Sequence, residues 1–541
     1  MRTSRFLGVS VLAVALSAGL GGVMGKSAQA TQDRLPAHYK SFTAALAAIE
    51  AEYAEPVESD RLVYGAINGM LQTLDPHSSF MDPRTYAQMR ERQEQRYYGL
   101  GITIQSLDRN ITVVRVFEGS PAHQKGLRRG DVIAKAADQD LTGWTTEQAV
   151  TKLRGPKGTF VNISIKRTGI DEPMPMDVMR DQVTIPSIPA HFITKGDIGF
   201  IRLEDFAEHT DDELGEALDD LRAQGARRIV LDLRGNPGGQ LDQAIKVSNR
   251  FLPRGDLIVY TRGRVDNSDE DYRATRQSEF LDQPMVVMVN RNSASASEIV
   301  SGALQDHDRA LVAGETTFGK ALVQSVYRVS QGAGLALTTA RYFTPSGRMI
   351  QRPWDGAFDE YLTYTMRDQA ARQHNAEDLK LTDAGRKVYS GGGIEPDERF
   401  DGPVEGFNPT RFGRSLYARQ LFAGYAERFY AAGDTRPGAQ GRGRKPVAKD
   451  FAVDDAMVAE FQQYVESRRV KMDQAAWTQD QPFIRAMMRF EIDAAVFGMG
   501  VARRRLLEVD PQAQHALGLF PQAEKLLTLA KTRTTRTAGA E

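Results

Sequence analysis

Apolar residues recur at helix-like spacing early in the chain, as Phe42, Leu46, Ile49 and Tyr53 and then Leu62, Ala66, Met70, Leu71 and Leu74. This predicts a helical segment over residues 31–95. From about residue 96 the period shortens. Ile102-Thr103-Ile104, Ile111 to Val116, Asp131-Val132-Ile133 and Val161 to Ile165 read as short strands, with one helix near Thr146 to Leu153, so 96–168 is expected to form a small β domain. Residues 169–400 alternate apolar runs with amphipathic stretches, the pattern of parallel βαβ units. Helical periodicity returns over 401–541, from Phe412 to Tyr430 and from Asp454 to Ala530. Between them Gly433 to Lys449, rich in glycine, proline and basic residues, reads as a mobile solvated loop, and Lys531 to Glu541 as a disordered tail. The fold class is therefore multi-domain, α+β and α/β.

Arg2 and Arg5 precede a mostly apolar stretch from Phe6 to Val23, and Ala28-Gln29-Ala30 supplies the small-x-small pattern of a signal-peptidase site. Residues 1–30 are thus expected to be a signal peptide that exports the protein, to the periplasm or beyond. Left uncleaved, the stretch is just long enough to anchor it in a membrane. The remaining composition narrows the function. A chain of 541 residues exceeds what one hydrophobic core supports, and 69 basic against 70 acidic side chains give a formal charge of −1, without the basic excess of a dedicated nucleic-acid binder. The absence of cysteine rules out disulfides and a thiolate nucleophile. No His-Glu-x-x-His occurs, and no Gly-x-x-x-x-Gly-Lys is followed by the Ser or Thr of a phosphate-binding loop, so neither a metal nor a cofactor is expected.

Candidate chemistry lies in Asn292-Ser293-Ala294-Ser295-Ala296-Ser297-Glu298-Ile299, between the strand-like run Met285 to Val289 and a helix expected over Ile299 to Leu304. A turn at a helix N-terminus offers free N–H groups and a positive dipole end, which favour the negative charge of an attacked carbonyl. Ser295-x-x-Glu298 is equally a capping box, which needs no chemistry at all. Downstream, Lys320 and Gln324 fall on one face of an alternating strand, where the amide can hold the amine. Arg228 to Gly239 reads as a buried strand running into a glycine-rich turn, then a helix from Leu241 to about Phe251. A hydroxyl nucleophile with an amine base needs no histidine. His307, beside Asp306 and Asp308, reads as a solvated helix end and His77 as a turn residue. A lysine acts as base only when neutral, which requires lowering its pKa from about 10.4 by roughly three units, or about 4 kcal/mol. The residues by themselves leave Ser293, Ser295 and Ser297 equivalent.

Seven stretches extend the pattern: Leu74 to Ser79, Gly99-Leu100-Gly101-Ile102, Asp232 to Gly239, Ser293 to Glu298, Gly314 to Lys320, Tyr342 to Arg348, and Gly393 to Asp397. Their order and spacing over roughly residues 40–400 resemble the carboxy-terminal processing, or tail-specific, proteases. The resemblance implies a crotonase-like α/β peptidase core with Ser295 as nucleophile, Lys320 as general base and Gln324 as the amide that orients it. It also implies an oxyanion hole from the N–H of Ala296 and of Gly238 or Gly239, and an acyl-enzyme intermediate. Ala321 departs from the glycine many relatives carry there. The β domain resembles a PDZ domain, whose loop Gly99, Leu100, Gly101 and Ile102 would receive a terminal carboxylate while Leu100, Ile102, Val150 and Leu153 line the side-chain pocket. Arg154 follows the PDZ helix and is a candidate relay to the active site. The expected partners are protein substrates with accessible C-terminal tails, with an adaptor protein and a second copy of the chain as further candidates, the latter through the N-terminal helices. Two other classes fit less of the sequence: a catalytically silent PDZ scaffold, and a crotonase-type acyl-CoA enzyme.

Overall fold

The computed structural model describes residues 35–538 apart from 95, 168–169, 330–331, 355–360, 362, 367–373, 401–408, 433–446 and 449. The expected signal peptide and nearly all of the loop 433–449 lie outside the described residues. The chain divides into two compact units, residues 1–75 and 76–541. In the first, Leu35–Glu52 and Ser59–Gln72 are helices. Helical structure reaches Gln93 within the segment expected to run to residue 95, but the unit itself ends at residue 75. The helix Pro83–Gln93, started by a cap from Asp82 to the Thr85 N–H, belongs to the second unit.

In the second unit the small β domain forms a sheet in the order Ile102–Leu107, Asn110–Val116, Val132–Ala136, Phe160–Lys166, Met174–Met179. Its alternating inward residues, Ile111 and Val113 with Ile163 and Ile165, close a core over the helix Thr146–Leu153. This helix starts at a Thr145/Gln148 capping box. The domain runs past the expected boundary at 168. Met174–Met179 pairs with Phe160–Lys166, and Asp181–Thr184 returns to pair with Arg96–Gly99.

The region expected to be the α/β core holds a six-stranded sheet in the order Ala190–Ile193, Ile198–Arg202, Arg228–Asp232, Met285–Val289, Leu311–Gly314, Glu398–Arg399, parallel except for the first pair. Alternate side chains face opposite ways. Leu231, Val287 and Val312 meet the helices Thr210–Ala223, Leu241–Asn249 and Ala296–Asp306 in one apolar cluster. Phe200, Val230, Val286 and Met288 face the other side, where Ala513, Ala516, Leu519, Phe520 and Ala523 cover them. The C-terminal extension thus supplies the second face that a buried parallel sheet requires. A second sheet pairs Leu322–Arg328 with Gly334–Phe343, and the latter also with Ser79–Met81 and Leu257–Gly263.

The helical pattern from Phe412 to Tyr430 is realised as two helices, Arg411–Ala418 and Leu421–Ala432, broken at Gln420, where φ is +55°. The extension differs from expectation at its end. The expected disordered tail is largely helical, since Phe520–Ala538 is one helix. The helices Arg411–Ala418, Leu421–Ala432, Asp455–Ser467, Gln474–Gln479 and Gln481–Phe497 form their own aromatic-rich core around Phe422, Tyr425, Phe461 and Trp477.

Candidate active site

Three strand ends converge on the site. Met285–Val289 leads into the turn 290–295 and the helix Ala296–Asp306, with Ser295 at its N-cap in an unusual backbone conformation, φ +53° and ψ −113°. Burial separates the three serines. The Ser293 hydroxyl donates to the Leu233 carbonyl (2.8 Å) and that of Ser297 to the Asn236 carbonyl (3.0 Å), both fully buried. Ser295 is half-buried. Only its side chain has access to a substrate.

Arg228–Asp232 delivers the second component. Burial opposes ionisation of Asp232, but Arg202 and Arg234 outweigh it and hold its carboxyl down at about 2. Asn236, also fully buried, donates to the Leu203 carbonyl (3.0 Å) and accepts the Ala294 N–H at its own carbonyl (3.0 Å), which locks this turn to the serine turn. Gly238 (φ +95°) then passes so close that an added Cβ would lie 2.8 Å from both Ser295 Cβ and Ala296 N. Glycine is required there on both counts. The Gly238 N–H donates to Asn236 Oδ1 (2.8 Å). Among the described residues, the N–H groups of Ala296 and Gly239 have no protein acceptor.

Lys320 stands at the start of the strand Leu322–Arg328, half-buried. Its Nζ donates to Gln324 Oε1 (3.1 Å), and Gln324 Nε2 donates to the His77 carbonyl. His77 is thus more than a turn residue. Its backbone fixes the orienting amide, and its ring Nε2 meets the Tyr361 hydroxyl (2.6 Å). His307 remains outside the site but is not solvated. Its ring bonds Asp383 (2.8 Å) and the Leu257 carbonyl (2.7 Å); burial opposes its charge, yet these acceptors raise it to about 9.

Glu298 joins the serine to the lysine. One of its carboxylate oxygens accepts the backbone N–H of both Ser295 (2.8 Å) and Lys320 (2.9 Å), and the other accepts the Gly319 N–H (2.7 Å) and the Thr317 hydroxyl. Two amides sharing one oxygen lie only a few ångströms apart. Burial pushes this carboxyl up to about 7, against the four hydrogen bonds donated to it. The buried Tyr342 hydroxyl repeats the staple, donating to the carbonyls of Ser295 (3.1 Å) and Lys320. The capping-box reading therefore saw half of what Glu298 does. The stretches that contain Tyr342 and His77 carried no sign of what the Tyr342 hydroxyl and the His77 carbonyl do.

In the PDZ domain, Leu100 and Leu153 are closed into the core while Ile102 and Val150 are half-buried at its rim. Ile102–Leu107 is an edge strand. An added Cβ at Gly101 (φ +81°) would lie 2.1 Å from Ser120 Cβ, and the Gly101 carbonyl accepts from the Phe117 N–H (3.0 Å) and the Ser120 hydroxyl (3.2 Å). Gly99 packs beside the Tyr97 ring and the stem of Arg154. Arg154 lies over the Tyr97 ring, 4.7 Å from its centroid, and pairs with Glu91 on the helix Pro83–Gln93. The end of that helix accepts at the Gln93 carbonyl from the Glu208 N–H (3.0 Å) and from Gln240 Nε2 (2.8 Å). Gln240 directly follows Gly239.

Residues 197–356 match the model of peptidase family S41, 88–166 that of the PDZ domain, and 17–85 that of the activating protease CtpB N-terminal domain. The chain is 40% identical over 307 residues to a carboxy-terminal-processing protease of Bartonella bacilliformis, covering 56% of this chain and 70% of that protein. It is 32% identical over 335 residues to the carboxy-terminal processing protease CtpA of Bacillus subtilis, covering 62% and 70%. Among solved structures it is similar to a photosystem II D1 C-terminal processing protease, at 28% identity and a TM-score of 0.36, covering 65% of this chain and 85% of that one. The chain belongs to peptidase family S41 and is a carboxy-terminal processing serine protease with a PDZ domain.

Proposed function

We propose that the protein is an exported endopeptidase that captures C-terminal tails of protein substrates on its PDZ domain and cuts them at Ser295. The observation that carries this reading is the single Glu298 oxygen that accepts both the Ser295 and the Lys320 backbone amides, which supports a hydroxyl and an amine working together without histidine. Neutral Lys320, held by Gln324, takes the Ser295 proton as the hydroxyl attacks a peptide carbonyl. The bond to the leaving amine breaks as that amine is protonated, and water then hydrolyses the ester. The Ala296 N–H faces the developing oxyanion. Gly239 offers a second donor, or Gly238 does so once its N–H leaves Asn236. On this reading the core is crotonase-like in presenting backbone donors from a strand-to-helix turn. Export rests on residues 1–30 alone.

The PDZ edge strand Ile102–Leu107 suits a tail added as an extra strand, with Ile102 and Val150 at its side-chain pocket. Capture raises the effective concentration of the tethered chain at the site. Arg154 is then placed to report occupancy, since Glu91, Gln93 and Gln240 link it to the oxyanion turn. Hydrolysis of an unfolded protein by the full-length enzyme tests the reading. It is expected to vanish in Ser295→Ala and Lys320→Ala, and undiminished hydrolysis by Ser295→Ala would refute it. Arg154→Ala is expected to remove stimulation by PDZ-binding peptides, and unchanged stimulation would exclude the relay.

A further inference from the structure

The region after residue 400 lies outside all three family matches, yet it touches the catalytic machinery at the turn that carries Asn236. Arg234 sits in the turn that carries Asn236, Gly238 and Gly239. On its inner side the guanidinium grips Asp232 through Nε (2.9 Å) and Nη2 (2.8 Å). On its outer side Nη1 meets Asp510 Oδ2 (2.7 Å) and Gln512 Oε1 (3.0 Å), both from the C-terminal extension. The pair is mostly buried, with side-chain exposures of 15% and 12%.

The anchor is rigid. Asp510 caps the helix Pro511–Gly518 with its other oxygen, which accepts the Gln512 (3.0 Å) and Ala513 (3.3 Å) N–H groups. Ala513 and Ala516 of that helix pack on the same sheet whose strand Arg228–Asp232 ends at the turn. An Arg held by carboxylates on two sides has little freedom, and the backbone next to it shares that restriction.

From this geometry we infer that Asp510, supported by Gln512, is a positioning residue for the oxyanion turn, so that the C-terminal extension sets the catalytic competence of the S41 core. The inference rests on the reading of Ser295 and the Asn236–Gly239 turn given above. Oxyanion donors act on the transition state and scarcely on the bound substrate, so loosening them lowers kcat and leaves KM in place.

The test uses Asp510→Asn in the full-length protein. Asparagine keeps the helix cap, because one side-chain oxygen remains to accept, but it loses the charge that faces Arg234. Gln512→Ala provides a second variant that leaves the cap intact. Asp282→Asn serves as control, since it removes a different contact between the extension and the core, the exposed pair with Lys531. Steady-state kinetics on a peptide substrate and the second-order rate of Ser295 labelling by a fluorophosphonate are measured for each. Asp510→Asn is expected to lower kcat and the labelling rate by about tenfold or more, below the 10²–10³ that outright loss of a donor costs. KM should stay within a factor of two, as should every parameter of the control. Unchanged kcat and labelling in both Asp510→Asn and Gln512→Ala would overturn the inference, as would an equal loss in Asp282→Asn. Activity surviving in Ser295→Ala would instead overturn the reading beneath it.

Discussion

Replacing Glu298 by glutamine tests whether one carboxylate assembles the site. The native side chain accepts four hydrogen bonds and donates none. A glutamine has one oxygen, so its NH2 must face either the Ser295 and Lys320 amides or the Gly319 amide and Thr317. The second orientation costs less, because the Thr317 hydroxyl can turn and accept. It still leaves the buried Gly319 N–H unpaired, at about 1–3 kcal/mol, and weakens the remaining bonds by removing their charge, at about 1 kcal/mol each for two or three of them. The sum is of order 3–5 kcal/mol, located where the serine and lysine turns meet. If most of it is relieved by the turns moving apart, kcat/KM falls by about 10²–10³, at 1.4 kcal/mol per tenfold. The pH dependence adds a second signature. The folded carboxyl titrates at about 7, above the ordinary value near 4.5, so its contribution to stability is full below pH 4.5 and is lost as pH rises through 7. Activity runs the other way, since only the ionised form accepts all four donors, and it should climb through pH 7. Glu298→Gln is expected to flatten both trends in thermal melts and in kcat/KM profiles between pH 5 and 9. A folded variant with kcat/KM within threefold of the parent would refute the reasoning.

Gly238→Ala places a methyl against Ser295 Cβ and Ala296 N at a positive φ, and should cut kcat by at least about 10² while leaving peptide binding to the PDZ domain unchanged by calorimetry. Gln324→Ala removes the amide acceptor of Lys320 Nζ and is expected to lower kcat by about 10–10². Gln324→Glu instead puts a carboxylate beside the amine and favours its charged form, so the pH at which activity sets in should move upward in a rate profile. At the PDZ contact with the extension, burial and the nearby Asp131 raise the Glu427 carboxyl to about 8, with Glu491 adding to the rise and Arg129 and Arg167 opposing it. Its contribution to stability is full below about pH 4.5 and disappears as pH passes 8, so Glu427→Gln should raise the melting temperature at pH 9 relative to the parent more than at pH 5.

The parts of the site that were legible in the sequence are those whose meaning is local. Asn236-Pro237-Gly238-Gly239 after an apolar run fixes a strand-to-helix turn, and the spacing of Lys320 and Gln324 puts both on one strand face. The choice of serine was not local. Ser293 and Ser297 differ from Ser295 only in reaching the Leu233 and Asn236 carbonyls, about 60 residues away, and no periodicity reports that. The same holds for His77, whose carbonyl meets Gln324 across 247 residues. The extension shows the limit most clearly. The spacing of Ala513, Ala516, Leu519, Phe520 and Ala523 announces a helical face that must be buried, but not against what. A sheet with strands as apolar as Met285–Val289 poses the complementary question, since every residue of that run is buried and one layer of helices covers only alternate side chains. Read together, the two demands answer each other: a parallel sheet with apolar residues on both faces needs a second helical layer, and this chain carries it after residue 500, where it also brings Asp510 to the oxyanion turn.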